Sequence, residues 1–297
     1  MEALQRDIAD VAVFEDALEV APADVAIDDS FDLSSGVPGP SSDSDSDSGS
    51  DSHSDSDPHS DSDSHSDSDS HSDSDPVPPG RQSTLGEQSN VDRSAPIVVG
   101  VDQAFLEDAV VSAVVALRNG RIVERTHAVS PLSIPYIPGL LAFREGGPIL
   151  DALSTLSIDP DLLVLDGSGR IHFRQAGIAT HVGVLLDIPA VGVAKSLLCG
   201  VPDASVDERS AGWSTPIRAA DGVEAPAGTV IGHAYQSRQY PNERRINPLY
   251  VSPGHRISAE TTLEIVEALC AGYKLPAPTR LADAYADEVK RSILADD

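Results

Sequence analysis

The chain has 297 residues and a formal net charge of −28, with 48 acidic side chains against 20 basic ones. Its two cysteines lie outside any CxxC pair, and no apolar run approaches the roughly 18 residues that a spanning helix needs. A disulfide scaffold, a cysteine-held zinc site and a membrane protein are therefore not expected, and the start of the chain has no signal-peptide pattern, so a cytoplasmic protein is.

The first 20 residues place Leu4, Ile8, Val11, Phe14 and Leu18 three and four apart. This spacing predicts one helical stripe, and a helical segment over 1–35 is expected to dock on the main domain. Residues 41–75 are almost entirely Ser and Asp, with His53, His59, His65 and His71 at every sixth position. Nothing there can be buried and the charges repel, so an insertion over 36–92 is expected to be a disordered linker; metal binding by its Asp/His repeat is the minor alternative. The tract holds 12 of the 48 acids, and from Pro96 onward there are still 24 acids against 17 bases, so the folded part is itself acidic.

A main domain over 93–297 opens on Pro96-Ile-Val-Val-Gly-Val-Asp102, a dense β-branched run that ends on a carboxylate. Residues 109–117 and 121–129 read as two more strands joined by Asn119-Gly120, a strong hairpin signal, which makes an antiparallel meander. After a proline-rich loop over 131–138, a helix is expected from Gly139 to Glu145, interrupted by Gly146-Gly147-Pro148 and resumed to Leu156. Residues 161–166 form a second acid-terminated strand, followed by a loop with His172, a helix over 174–186 and a strand over 190–195. Strand-helix alternation implies right-handed crossovers and parallel pairing. The remainder reads as a Gly/Pro-rich excursion, strands at 228–235 and 248–251, and helices at 258–271 and 282–294. The expected fold is α/β and ribonuclease-H-like: a mixed central sheet, antiparallel meander then parallel β-α-β units, flanked by helices.

Two strand-end carboxylates, Asp102 and Asp166, suit a hard divalent cation, which takes oxygen ligands and leaves room for water and a phosphate. Taken singly, each could simply start a turn. The stretches Val-Gly-Val-Asp102, Pro135-Tyr-Ile-Pro-Gly-Leu-Leu-Ala-Phe-Arg-Glu145, Asp166-Gly-Ser-Gly-Arg-Ile-His172, Gly192-Val-Ala-Lys195, Asn247-Pro-Leu, Gly254-His-Arg256 and Pro278-Thr-Arg-Leu-Ala-Asp283 together resemble the endonuclease V family. With only three lysines and a strongly acidic balance, the chain looks like a haloarchaeal member.

The resemblance implies an Mg²⁺-dependent enzyme, with Mn²⁺ as a substitute, that hydrolyses the second phosphodiester bond 3′ to hypoxanthine in DNA and leaves 3′-hydroxyl and 5′-phosphate ends. It implies Asp102 and Asp166 as metal ligands, and Glu145, His172 and Lys195 as further catalytic residues. Asp283 is an additional acid at the site. Tyr136, stiffened by Pro135 and Pro138, matches the ring that fills the gap left by the target base, and Gly167 and Gly169 are candidates for the base pocket. Ser168 departs from the His that many members carry in this turn. Arg170, Arg174, Arg244, Arg245 and Arg256 join Lys195 as expected backbone contacts for the nucleic acid. The expected partner is deoxyinosine-containing DNA, met by a monomer without a membrane. Inosine-containing RNA, a non-catalytic binder of damaged nucleic acid, and an acidic metal or partner buffer remain the other classes.

Overall fold

The structure is a computed structural model that describes residues 1–27, 94–132, 134–135, 137, 139–240 and 245–296. The insertion expected over 36–92, the aromatic Tyr136 and the cation Arg244 lie outside the described residues. Two short helices, α1 (Glu2–Val11) and α2 (Pro22–Val25), precede the sheet. The main domain then runs β1 (Ile97–Phe105), β2 (Ala109–Arg118), β3 (Arg121–Pro131), α3 (Leu141–Leu153), β4 (Leu162–Asp166), α4 (Ile178–Leu186), β5 (Ala190–Ala194), β6 (Val201–Pro202), β7 (Ser214–Arg218), β8 (Val230–Tyr235), β9 (Leu249–His255), α5 (Ala259–Cys270) and α6 (Ala277–Asp296). None of the described helices is long and apolar enough to cross a membrane.

The strands form one sheet in the order β3-β2-β1-β4-β5-β9-β8-β7-β6. The meander β1-β2-β3 is antiparallel, and β1-β4 and β4-β5 are parallel, as the sequence pattern predicts. Beyond β5 the sheet turns antiparallel again through β9, β8, β7 and β6, and the Gly/Pro-rich excursion supplies the last two. Strand β7 carries polar and proline residues, so it shows no clean apolar alternation.

Side-chain alternation divides the core. Val98, Leu162, Val164, Val191 and Val193 pack toward α5 and α6, where Ile265, Leu269 and Leu281 meet them. Ile97, Val99, Val101, Leu163 and Leu165 face the other way, onto Ala142, Ile149 and Leu153 of α3 and Ile178 and Val182 of α4. Each fully buried aliphatic side chain contributes about 1.5–3 kcal/mol, so both faces hold the parallel centre in place.

Three elements differ from the sequence reading. Helix α3 runs unbroken through Gly146-Gly147-Pro148, because its buried face of Ala142, Gly146, Ile149, Ala152 and Leu153 outweighs the bond that Pro148 removes. Helix α6 begins at Ala277, because Pro278 in its first turn costs no intrahelical bond. The N-terminal stripe does not form, since α1 ends at Val11 with Leu4 and Val11 exposed and Ile8 buried. Residues 12–27 instead continue as a strap whose backbone bonds to the domain: Ala17 N–H donates to Arg256 O at 3.0 Å, Arg256 N–H to Val13 O at 2.6 Å, and Ile27 N–H to Ala268 O at 3.2 Å. Asp16 adds a bond from Ser258 N–H at 2.8 Å, beside the Ser258 side chain that caps α5.

One contact sets how closely α6 lies on the sheet. A Cβ on Gly100 would fall 2.1 Å from the Pro278 carbonyl carbon, so backbone packs directly on backbone there. Gly100→Ala should destabilise the protein by about 3 kcal/mol or more, read as a lower melting temperature, while Gly147→Ala, where a Cβ meets nothing within 4 Å, should not.

Candidate active site

The alternation that builds the core also builds the site. Asp102 has the parity of Val98 in β1, and Asp166 that of Leu162 and Val164 in β4, so both carboxylates continue the rows that face α5 and α6. Val101 pairs with Leu165 in the parallel register, which brings Asp102 and Asp166 side by side at the carboxyl ends of adjacent strands. Asp166 pairs in turn with Val193 of β5, and Lys195, two residues on, follows the same face. Its Nζ stands 3.3 Å from Asp166 Oδ2. Asp283 arrives from α6, the helix held against β1 at Gly100.

These groups are strongly coupled. Burial, then the charges of Asp166 and Asp283, push the Asp102 carboxyl well above its ordinary range, against the opposing Lys195 ammonium. Asp283 is raised by burial, with Lys195 opposing and Asp287 and Asp166 adding to the rise. Burial alone would lower the Lys195 ammonium, but Asp166, Asp102 and Asp283 outweigh it and hold it charged. Asp102 Oδ1 accepts Gln103 N–H at 2.6 Å, whereas Asp102 Oδ2 is buried with no hydrogen-bond partner. An orphaned carboxylate oxygen among further carboxylates is what a cation would satisfy. Among the described residues no three His, Cys, Asp or Glu side chains form a complete ligand cage.

Glu145 projects from α3, and burial lifts its carboxyl to about 7, with Arg144 lowering it and Asp166 raising it further. Gln103, which the sequence reading did not single out, ties α3 to the sheet: its Nε2 donates to Ser112 Oγ at 2.6 Å and reaches Glu145 O at 3.4 Å. Its one sequence signal is its place directly after Asp102, with its side chain on the opposite face of the strand.

His172 is placed differently. It is buried, its Nδ1 accepts Arg174 N–H at 3.2 Å, and its Nε2 faces Gly139 O at 3.2 Å. Those partners make it the neutral Nε2–H tautomer, and burial lowers its pKa to about 4, with the bond to Gly139 opposing and the neighbouring His181 and Arg174 adding to the drop. Both ring nitrogens are thus occupied within the protein.

The turn after Asp166 is a knot of closely packed backbone. Gly167, at φ +135°, gives its N–H to Val193 O at 2.9 Å. Gly169 gives its N–H to Ser252 Oγ at 2.9 Å and its carbonyl to Gly177 N–H at 3.0 Å, and a Cβ there would strike Pro253 O at 2.3 Å. Its glycine is required by packing, and its backbone polar groups are already paired.

The arginines expected on a phosphate backbone are largely engaged elsewhere. Arg170 lies over the Phe14 ring at 4.4 Å, Arg174 bonds Glu2 at 2.6 Å and Gln5 at 3.0 Å, and Arg256 bonds Ala17 O at 3.3 Å and Asp187 at 3.1 Å. Arg170 and Arg256 hold the strap, and Arg174 holds α1. Arg245 pairs with Glu208 on the wall of a groove of about 360 Å³ that opens beside Lys195 and is also lined by Gln239, Asn247 and Tyr250.

This arrangement has close counterparts. Endonuclease V of Halobacterium salinarum is 62% identical over 216 residues, which covers 71% of this chain and 82% of that protein. The crystal structure of the catalytic domain of human endonuclease V superposes with a TM-score of 0.58 at 33% identity, covering 67% of this chain and 84% of that one. Endonuclease V of Ciona intestinalis, crystallised with a 24mer DNA containing an inosine followed by a ribo-adenosine, gives a TM-score of 0.56 at 27% identity, covering 67% and 87%. The family model for endonuclease V matches residues 81–284, a stretch that contains the paired carboxylates, Lys195 and Asp283, and the chain belongs to the endonuclease V family.

Proposed function

We propose that this protein is a DNA-repair endonuclease that recognises deoxyinosine and hydrolyses the second phosphodiester bond on its 3′ side, leaving a 3′-hydroxyl and a 5′-phosphate. The observation that carries this reading is the meeting of Asp102, Asp166 and Asp283 with Lys195 around an unpartnered carboxylate oxygen, at the ends of two adjacent parallel strands. The family is one of metal-dependent nucleases, and its Ciona member has been crystallised on inosine-containing DNA. The metal is Mg²⁺, with Mn²⁺ as a substitute, and the enzyme works as a cytoplasmic monomer.

In this mechanism Asp102 and Asp166 hold the cation, and Asp283 adds negative charge behind them. When bound, Mg²⁺ supplies Lewis-acid polarisation of the scissile phosphate. Lys195, kept protonated by the three carboxylates, orients that phosphate and offsets its charge. Glu145, with a carboxyl at about 7, is suited to accept the proton of the attacking water near neutral pH. Neutral His172 holds the backbone at Gly139 and does not itself transfer a proton. The groove beside Lys195, with Gln239, Asn247 and Tyr250 on its walls, suits the sugar-phosphate strand that runs on from the cut. Tyr136 serves as the wedge at the target base.

The direct test is to incubate the protein with Mg²⁺ and matched oligonucleotides, either DNA with one deoxyinosine or RNA with one inosine, and map the cut. Cleavage one nucleotide beyond the base on its 3′ side, faster on DNA, is expected. Asp102→Asn and Asp166→Asn should each lower kcat by about a hundredfold or more with the fold retained. Tyr136→Ala should cost about 1–3 kcal/mol in affinity for inosine-containing over normal duplex, read by titration, while single-turnover cleavage of bound substrate is kept.

The raised carboxyls give a metal-binding test that needs no turnover. The folded Glu145 carboxyl sits at about 7 against an ordinary 4.5, so its contribution to stability is present below 4.5 and lost as pH rises through 7. Asp102 and Asp283 act in the same direction. His172, His181 and His233, kept neutral by burial, act oppositely below their ordinary 6.5, so the clean window is about pH 6.5 to 8. In chelator the melting temperature should fall across that window, and less so for Glu145→Gln. Mg²⁺ should raise it most at the upper end, and Asp102→Asn should abolish that gain.

A further inference from the structure

Helix α1 buries a polar side chain more completely than any of its apolar ones. Gln5 is 0% exposed, whereas Ile8 keeps 8% and Leu4 and Val11 are largely in solvent. Its amide is fully directed: Gln5 Nε2 donates to Gly139 O at 2.8 Å, and Gln5 Oε1 accepts Arg174 Nη1–H at 3.0 Å. A helix held by apolar burial would have placed Leu4 at this position. The ion pair of Arg174 with Glu2 at 2.6 Å keeps α1 in register over that one carbonyl, whereas Arg6 pairs with Glu224 at 2.7 Å in solvent, away from it.

Gly139 is the joint between the segment that carries the Pro-Tyr-Ile-Pro motif and helix α3. It has φ +76°, and the next amide, Leu140 N–H, turns back to Ile137 O at 3.0 Å. Its carbonyl receives Gln5 from α1 and His172 from the turn after β4. Helix α3 has its own anchorage in Ala142, Ile149, Ala152 and Leu153, and in the Gln103 contact to Glu145 O. Loss of Gln5 would therefore loosen the motif side of the joint more than the catalytic side.

We infer that α1, which lies outside the 81–284 family match, is a positioning element for target-base recognition, with Gln5 setting the Gly139 carbonyl from which the wedge segment is held. The inference rests on the deoxyinosine reading above. Gln5 touches no reacting atom, so its effect falls on substrate affinity and base discrimination.

The test uses the full chain with Gln5→Leu, which keeps the volume and removes both bonds, and Gln5→Glu, which keeps an acceptor for Arg174 but has no donor for Gly139 O. Arg6→Ala, which breaks an exposed ion pair, is the control. KM and kcat on deoxyinosine duplex, the affinity ratio to undamaged duplex, and amide exchange over 139–141 are measured. Both Gln5 variants should raise KM about tenfold, lower the ratio, keep kcat within about twofold and speed exchange at Leu140; Arg6→Ala should leave all four unchanged. Wild-type KM and ratio in both variants, whatever their melting temperature, would overturn the inference, as would kcat falling in step with stability while the ratio stays at its wild-type value. If Gln5→Leu does not fold, Gln5→Glu and amide exchange decide. A wild-type protein that leaves deoxyinosine DNA uncut would instead refute the function, and the exchange measurement would still report on the joint.

Discussion

The structure depends on one costly act, the burial of the Asp102 carboxylate beside two others. A carboxylate out of water must find a partner or take up a proton, and Asp102 has a single backbone N–H for one of its oxygens. The neighbourhood makes its ionised form less favourable still, since Asp166 and Asp283 outnumber Lys195. Such a cluster is tolerable only on a stiff frame. Here the frame is the parallel pair β1 and β4, packed on both faces, with α6 laid backbone-on-backbone against Gly100. In the proposed reading, the mutual repulsion of the three carboxylates is what a hard cation would relieve, so stability lost without the metal would reappear as binding.

A second constraint is charge supply. The chain must hold a polyanion while carrying 48 acids and only three lysines. Arginines near the family-matched motifs would be the obvious backbone contacts, yet Arg170, Arg174 and Arg256 are spent on α1 and the strap through Phe14, Glu2, Gln5 and Ala17. Lys195 is left as the cation that acts on the carboxylate cluster. Helix α1 in turn reaches Gly139 through Gln5, and Arg174 holds the other end of that amide, so an arginine expected on substrate fastens a helix to the joint. Positive charge is used here for assembly and concentrated at one point for chemistry.

His172 illustrates how burial redirects a chemically capable group. It has the ring of a proton carrier, while Arg174 N–H on one nitrogen and Gly139 O on the other hold it neutral and braced between the turn and α3. Gly169 is similar: its backbone looks available to a base, but both its polar groups are paired and its missing side chain makes room for β9.

The sequence by itself determined the acid-ended strands, the meander, the parallel centre and the pairing of Asp102 with Asp166, because apolar period and β-branched runs encode burial locally. The motifs carried Glu145, Lys195 and Asp283 into the same neighbourhood, since their spacing is a property of the chain. Only the tertiary structure decided where Gln103 and Gln5 act, what occupies the imidazole of His172, and that α3 runs through Gly146-Gly147-Pro148. It also decided that α1 stops at Val11 and that three arginines face α1 and the strap. These outcomes turn on partners far apart in the chain, as Gln5 and Gly139 are, and the energy of a polar group depends on which partner it meets. No local pattern records that choice.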